Sequence, residues 1–261
     1  MFHYFGYGSN IDLMSLRAKG VQPVSSRRAR LSGWKLLFNV HHWFKHEGGV
    51  GNIHPSEDPA DQVLGVVHQC ENSSLPLLDA VESYGVGYDR IEVEVETEDG
   101  PIPALTYIGI PTYLDDNCLP TQRYLNIIVR GAIAAGIDSN YIDKLRLHPT
   151  HVNKIYPVFE HPQGSVPEFT ANTLAEYPLY TAVGGAVFDM QDARWQHHCL
   201  RELFGGKDMT LFHIKRLDSS DGTESIEKIR DDQLTTEQRA YLNAYLNEYA
   251  SEYHYIGRFR Y

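Results

Sequence analysis

Four small or polar residues follow the first apolar stretch of the chain. Tyr7-Gly8-Ser9-Asn10 stands directly behind residues 3–5, which have the apolar character of a short strand. Glycine has no Cβ to block an approaching atom, and Ser and Asn tolerate turn geometry, so such a loop can point successive main-chain N–H groups at an anion. An ordinary turn has a similar composition. The four residues alone therefore indicate either a simple turn or an anion-binding loop.

A second segment places a carboxylate at the end of a predicted helix. Leucines at helical spacing predict a helix from Ser74 to Ser83, with Glu82 in its last turn. A glycine-rich turn and Tyr88 follow. A carboxylate near a helix C-terminus opposes the helix dipole and is mildly unfavourable there. This cost favours a chemical role for Glu82 over a role in solvation alone.

The composition excludes several classes of partner. The 261 residues carry 23 Lys and Arg against 34 Asp and Glu, a net charge of −11, which argues against binding nucleic acid or an anionic membrane. The sequence lacks a run of 18 apolar residues and a signal-peptide pattern, so we expect a soluble, cytoplasmic protein. Cys70, Cys118 and Cys199 have no disulfide or zinc spacing and are interpreted as free thiols.

Short apolar runs and turn residues predict a barrel-like antiparallel sheet before residue 148. The alternation of apolar and charged residues over 91–96 is typical of a strand with one wet face, and 104–108 follows as its hairpin partner. Other predicted elements of this region are strands at 31–38 and 63–69 and helices at 121–135 and 140–147. The sequence therefore predicts an α+β domain.

Three prolines and a glycine without apolar periodicity indicate a linker at 157–167. We expect one domain at 1–156 and a second at 168–261. In the second domain we predict a short helix at 169–177, two strands within 180–189 and helical pieces over 193–217. The final helix has the clearest signals, a capping box of Thr235 and Gln238 followed by a Tyr-rich stripe that is interpreted as core.

The loop at residues 7–10 and the L-D-A-V-E segment at 78–82 together resemble the γ-glutamylcyclotransferase family. Gly65-Val66-Val67 and residues 120–124 also match, and the resemblance extends over about residues 2–155. It implies a γ-glutamylcyclotransferase-like mixed β-barrel with flanking helices. In one departure Ser83 stands where the family usually has glycine, and the turn before Tyr88 is one residue shorter.

The resemblance implies ring closure of a γ-glutamyl compound to 5-oxoproline, with release of an amine or amino acid. By this similarity Glu82 is the general acid/base, and the backbone of the loop holds carboxylate and carbonyl oxygens. The substrate-binding residues that it implies are Tyr7, Gly8, Ser9, Asn10, Tyr88 and Tyr124. The reaction requires neither a metal nor a cofactor, and we interpret His41, His42, His46, His148 and His151 as loop or strand-face residues.

From Phe169 to Phe259 the chain resembles the cytochrome b5-like domain in its membrane-associated progesterone receptor form. The matching blocks are residues 169–174, 180–189, 203–208 and 234–258. Arg201 stands near the position of the iron-ligating tyrosine, and the H-P-G-G of cytochrome b5 is absent. His197, His198 and His213 are the residues that could still ligate iron. We favour a small α+β domain that binds no haem.

Three interpretations of the whole chain stay open at this point. The leading one is a γ-glutamylcyclotransferase that acts on a small γ-glutamyl molecule. The second is a non-catalytic γ-glutamyl or carboxylate-binding module, which the changed residue at Ser83 supports. The third is a haem-binding sensor or redox protein that works through the C-terminal domain. A homodimer is compatible with each of them.

Overall fold

The computed structural model describes all residues, 1–261, and divides into two compact units. The first unit is Met1–Val152 and the second is Asn153–Tyr261. None of the helices combines the length and the apolar character that a membrane crossing requires. The three cysteines are free thiols.

The first unit is built from seven strands and four α-helices. In chain order these are β1 (Phe2–Gly6), α1 (Leu13–Ala18), β2 (Ser25–Ser32), β3 (Trp34–His41), β4 (Gly49–Pro55), β5 (Gln62–Cys70), α2 (Leu75–Val81), β6 (Tyr88–Thr97), β7 (Gly100–Gly109), α3 (Gln122–Ala134) and α4 (Ser139–Arg146).

Five of these strands close a barrel in the order β1-β5-β2-β6-β7. The barrel is mixed, because β1 pairs with β7 in parallel while all other strand pairs of the barrel are antiparallel. The alternation over 91–96 gives β6 one face in the core and one face in solvent. Val93 and Val95 are buried, and the glutamates that alternate with them are exposed. Phe5 and Val67 pack in the same core.

The strand predicted over 31–38 is two strands in the structure. Gly33 adopts a left-handed φ of 74°, which favours glycine and breaks the extended run. As a result β2 ends in the barrel, whereas β3 leaves it and pairs with β4 in a separate two-stranded ribbon. The hydrophobic alternation runs through the break, so it could not reveal this change of sheet.

Helix α3 follows its predicted bounds closely. Thr121 caps it by accepting a hydrogen bond from Tyr124 N at 3.2 Å, and Gly136 follows its last turn at a φ of 68°. Leu125 and Ile128 are fully buried on the face that packs against the barrel residue Val66. The helix thereby brings Tyr124 to the end of the barrel where the first loop lies.

The second unit is a five-stranded sheet with helices. Its elements are β8 (Glu168–Phe169), α5 (Ala171–Leu174), β9 (Tyr180–Val183), β10 (Ala186–Asp189), α6 (His198–Phe204), β11 (Lys207–Asp208), α7 (Thr210–Ile214), α8 (Ile226–Arg230), α9 (Thr236–Glu252) and β12 (His254–Phe259). The strands lie in the order β11-β9-β10-β12-β8. The helix predicted at 169–177 is shorter, because Phe169 belongs to a strand.

Helix α9 is capped as its sequence predicts. Thr235 and Gln238 form both hydrogen bonds of the capping box, and Tyr245 and Tyr249 are fully buried. The start of the segment predicted as a linker lies against this helix. Pro157 O accepts hydrogen bonds from the amide groups of Asn243, at 2.9 Å, and Asn247, at 3.0 Å. Residue 157 is thus fixed within the second unit.

Candidate active site

The loop after β1 forms a 3₁₀ turn, Ser9–Ile11, that leads directly into α1. Asp12 caps α1 through a 2.8 Å hydrogen bond from Ser15 N. Helix α3 lies tightly against this turn, because a Cβ on Gly131 would stand only 2.5 Å from Asp12 N. Arg130 on the same helix pairs with the Asp12 carboxylate at 2.7 Å. These contacts hold the loop in one conformation.

The side chain of Asn10 joins the loop to Glu82. Its Nδ2 donates to Glu82 Oε1 at 2.8 Å and to the Tyr4 hydroxyl at 2.6 Å. Lys19 Nζ donates to Asn10 Oδ1 and, at 3.0 Å, to Ser9 Oγ. The Asn10 amide thus uses both of its donor hydrogens and its acceptor oxygen. Because the Asn10 amide is held on three sides, it fixes the orientation of the Glu82 carboxylate.

Glu82 is the residue at which α2 ends. It is half-buried, and its N–H donates to Leu78 O at 2.9 Å. The next residue, Ser83, turns the chain with a left-handed φ of 51°, a conformation that costs a non-glycine residue roughly 1–2 kcal/mol. Trp43 Nε1 donates to Ser83 Oγ at 3.1 Å and offsets part of this cost. Ser83 therefore adopts a left-handed backbone conformation, which explains why the family usually has glycine at this position.

An ion pair anchors α2 to the barrel. Arg90 Nη1 lies 2.7 Å and 2.6 Å from the two carboxylate oxygens of Asp79, and the Tyr107 hydroxyl donates to Asp79 Oδ1 at 2.7 Å. Asp79 is one turn before Glu82, while Arg90 and Tyr107 lie opposite each other on β6 and β7. The barrel thus fixes the end of the helix that presents Glu82.

Tyr88 and Tyr124 meet at the backbone of Gly51 on β4. The Tyr88 hydroxyl donates to Gly51 O at 2.7 Å, and Gly51 N donates to the Tyr124 hydroxyl at 3.0 Å. The same Tyr124 hydroxyl also bonds to the backbone of Ser9. A Cβ on Gly8 would lie 2.7 Å from the Tyr124 oxygen. The structure therefore brings Tyr124 to the loop and Tyr88 to Gly51 beside it.

Tyr7 contributes its main chain to the loop and its side chain to the core. Its hydroxyl donates to Tyr107 O at 2.5 Å, and its ring packs near Phe5 inside the barrel. Of the residues predicted at the site, Asn10 bonds to Glu82, Gly8 and Ser9 contact Tyr124, and Tyr88 is joined to Tyr124 through Gly51. Lys19, Gly51 and Asp79 complete the arrangement and were not predicted from the sequence.

The tyrosines around Glu82 are neutral far above physiological pH. Burial raises the pKa of Tyr4, Tyr7 and Tyr88 well above the usual value, and the negative charge of Glu82 raises these values further. Burial also raises the pKa of Tyr124, although the N–H of Gly51 lowers it in part. Each phenol is therefore a stable hydrogen-bond donor.

His68 supports the loop from β5. Its Nε2 donates to Asn10 O at 2.8 Å, and its Nδ1 accepts from Ser26 Oγ at 2.8 Å. Burial lowers the pKa of His68 to about 4, although the bond to Asn10 O raises it in part. The ring is thus neutral at pH 7, and the bond to Asn10 O fixes which nitrogen carries the hydrogen.

We expect the chain to lose stability between pH 6.5 and pH 4 because of His68. In the unfolded chain this histidine gains its proton near pH 6.5, whereas in the folded chain it does so only near pH 4. Acid therefore favours unfolding over this window, by up to about 3 kcal/mol. Urea unfolding at pH 7 and pH 5 measures the loss.

Two matched variants test whether His68, and not another histidine, causes this loss of stability. His68→Gln is expected to flatten the pH dependence between pH 4 and 6.5, whereas His54→Gln, at an exposed position on β4, is expected to keep it. An unchanged slope in His68→Gln would contradict the assignment.

Some of the other histidines of the first unit are held by backbone groups. His42 Nδ1 accepts from Phe44 N at 3.1 Å, and His148 Nδ1 donates to Pro149 O at 2.8 Å. His41 lies instead beside Asp115 and Cys118. The histidines that are close in sequence therefore do not converge on one point.

Two histidines of the second unit form hydrogen bonds within its core. His197 Nδ1 lies 2.9 Å from the Tyr253 hydroxyl, and His213 Nε2 lies 3.0 Å from the Tyr249 hydroxyl. Arg201, near the position implied for the iron-ligating tyrosine, donates to Met190 O at 3.2 and 3.0 Å. Both histidines therefore have one ring nitrogen committed to a hydrogen bond within the core.

The chain is similar to known proteins over its first unit. A family model described as the AIG2-like family matches residues 62–145. A solved structure named γ-glutamyl cyclotransferase is 30% identical with a TM-score of 0.50, and the match covers 57% of this chain and 89% of that one.

Curated relatives give the same result. The γ-glutamylcyclotransferase of Homo sapiens is 33% identical over 150 residues, which are 56% of this chain and 77% of the relative. That of Mus musculus is 32% identical over 150 residues, again 56% of this chain and 77% of the relative. With this identity over more than two thirds of their length, the chain belongs to the γ-glutamylcyclotransferase family of enzymes.

Proposed function

We propose that this enzyme converts a γ-glutamyl compound into 5-oxoproline and releases the attached amine or amino acid. The observation that carries the proposal is the hydrogen bond from Asn10 Nδ2 to Glu82 Oε1, 2.8 Å long. It joins the loop and the carboxylate, which lie 72 residues apart in sequence. These are the two groups that ring closure needs, donors for oxygen atoms and one residue that moves a proton.

Glu82 is proposed as the general acid/base. The α-amine of the substrate attacks its own γ-carbonyl carbon, a C–N bond forms, and the bond to the leaving nitrogen breaks. The carboxylate takes a proton from the attacking nitrogen and gives it to the leaving nitrogen, so no proton is lost or gained overall. A positioned group of this kind contributes about 10²- to 10⁴-fold to the rate.

The loop and Tyr124 are proposed to hold the substrate oxygens. In the turn Ser9–Ile11, Ile11 N donates to Gly8 O at 3.0 Å and the backbone of Ser9 bonds to the Tyr124 hydroxyl, so the N–H of Asn10 is the group of the turn that is proposed to bind substrate. The Tyr124 hydroxyl accepts from Gly51 N, which leaves its own proton to donate to a carboxylate or to the developing oxyanion. Donors fixed before the reaction stabilise that charge without reorganising.

The same geometry supports an enzyme over a non-catalytic binding module. The binding module was favoured by the serine at position 83, where the family usually has glycine. Ser83 nevertheless adopts a left-handed φ of 51°, so the turn that presents Glu82 keeps its shape. The substitution therefore gives no reason to expect a displaced carboxylate.

A panel of γ-glutamyl amino acids, γ-glutamyl amines and glutathione, assayed for 5-oxoproline with the full chain, tests the proposal. We expect at least one compound to give product at a rate proportional to enzyme. Saturable binding in a calorimeter without product from any compound would instead identify the binding module.

We also propose that residues 168–261 form a cytochrome b5-like domain that binds no haem. The bonds of His197 and His213 to buried tyrosine hydroxyls support this. Haemin added to the full chain is expected to give only the broad spectrum of free haemin. A sharp Soret band that disappears in His197→Ala or His213→Ala would contradict the proposal.

A further inference from the structure

Three metal-binding side chains meet at the end of the β3–β4 ribbon where His41 pairs with Gly49. His41 ends β3, and Asp115 and Cys118 lie in the loop between β7 and α3. Their donor atoms all lie within 4.8 Å of one another. We propose that His41, Asp115 and Cys118, here called the His41 cluster, bind one zinc ion at a site separate from Glu82.

The donor set matches the chemistry of zinc. Zinc is held in proteins by cysteine sulfur, histidine nitrogen and aspartate oxygen, usually in tetrahedral geometry. Usual zinc bond lengths place tetrahedral ligands about 3.5 Å apart for sulfur and nitrogen and about 3.3 Å apart for nitrogen and oxygen. In the cluster His41 Nε2 lies 3.6 Å from Cys118 Sγ and 3.2 Å from Asp115 Oδ2. Two edges of the required tetrahedron are therefore already present.

The sulfur lies close to both ring nitrogens of His41, at 3.2 Å from Nδ1 and 3.6 Å from Nε2. The side chain of His41 is 58% exposed and that of Asp115 is 38% exposed. The ring can therefore rotate to turn one nitrogen toward the metal. Solvent can supply a fourth ligand. On binding, the thiol proton of Cys118 passes to solvent and the thiolate bonds to zinc.

Neighbouring groups orient the aspartate. Asp115 Oδ1 accepts from both the backbone N and the side-chain Nδ2 of Asn117, each at 2.9 Å, which leaves Oδ2 directed at His41. Asp115 N donates to Asn39 O at 2.8 Å, so the loop is tied to β3. Hydrogen bonds of this kind around a ligand are typical of metal sites and raise their affinity.

The position of the His41 cluster indicates a structural role. Asn39, two residues before His41, accepts a 3.0 Å hydrogen bond from Asn52, which adjoins Gly51 of the candidate active site. A metal at the cluster would tie the loop between β7 and α3 to the β3–β4 ribbon, which carries Gly51. Cyclotransfer needs no metal, so we expect zinc to stabilise the first unit without being required for turnover.

Cobalt titration of the full chain, after treatment with a chelator, tests the inference. Co²⁺ replaces zinc in tetrahedral sites and gives a near-ultraviolet charge-transfer band only where a thiolate binds it. We expect such a band to saturate at one equivalent and to disappear when Zn²⁺ is added. Zinc is also expected to raise the melting temperature.

Matched variants identify the ligands. Cys118→Ser is expected to lose the thiolate band and the shift in melting temperature, whereas Cys199→Ser keeps both. His41→Asn is expected to weaken binding by more than the roughly 10- to 100-fold typical of an outer partner, with His54→Asn as its control. Circular dichroism checks that each variant folds. A chain that shows no thiolate band at stoichiometric cobalt, or a Cys118→Ser variant that binds as tightly, would overturn the proposal.

Discussion

Glu82→Gln is expected to reduce formation of 5-oxoproline by about 10²- to 10⁴-fold, the usual contribution of a general acid/base. Glutamine has the same shape and can still accept the hydrogen bond that Asn10 Nδ2 donates to Glu82 Oε1. It cannot take a proton from the attacking amine. The loss should therefore fall on kcat, with KM nearly unchanged. Steady-state assays with the best compound of the panel measure both.

Glu92→Gln is the control for this experiment. Glu92 lies on β6 with its side chain exposed, so the substitution changes the same functional group without touching the site. It should leave the rate unchanged. Full activity in Glu82→Gln would show that another group moves the proton.

Gly8→Ala is expected to lower kcat/KM by at least about 10²-fold, the cost of a displacement near 1 Å in a positioned site. The added Cβ would lie 2.7 Å from the Tyr124 hydroxyl oxygen, inside van der Waals contact. Tyr124 is buried and bonded to Gly51 N, so either the ring or the loop must shift. The backbone of Gly8 has a φ of −101°, so the clash is with the side chain of Tyr124. The same steady-state assay measures the change.

Repeating Gly8→Ala in a Tyr124→Phe chain tests whether the contact with the Tyr124 hydroxyl causes the loss. Without the hydroxyl, the nearest ring atom of residue 124 stands 3.8 Å from the new Cβ, an ordinary contact. Alanine at position 8 should therefore cost much less free energy of unfolding in the Tyr124→Phe chain than in the parent. Equal costs in the two backgrounds would mean that Gly8 is needed for a different reason.

Local signals in the sequence predicted the individual elements well. The capping box of Thr235 and Gln238 and the alternation of β6 are confirmed, because each depends on residues a few positions apart. The break at Gly33 was missed, since its left-handed turn leaves the apolar pattern unchanged. The parallel pairing of β1 with β7 joins residues about 100 apart and has no local signal.

The candidate site was predictable only in part for the same reason. The loop and Glu82 could be proposed because each lies in a short recognisable segment. Lys19 was missed because a basic residue after a short amphipathic helix is usually solvated, yet here it is 8% exposed and bonded to Asn10. Asp115 and Cys118 reach His41 across more than 70 residues, a pairing that no spacing rule indicates.

The buried phenols that surround Glu82 have a consequence for how the enzyme responds to its surroundings. Their protons stay in place near neutral pH, and so does the hydrogen of His68. The lining of the site thus behaves as a set of permanent dipoles. A charged metabolite would meet the same electrostatic surface in a mildly acidic or a mildly alkaline cell.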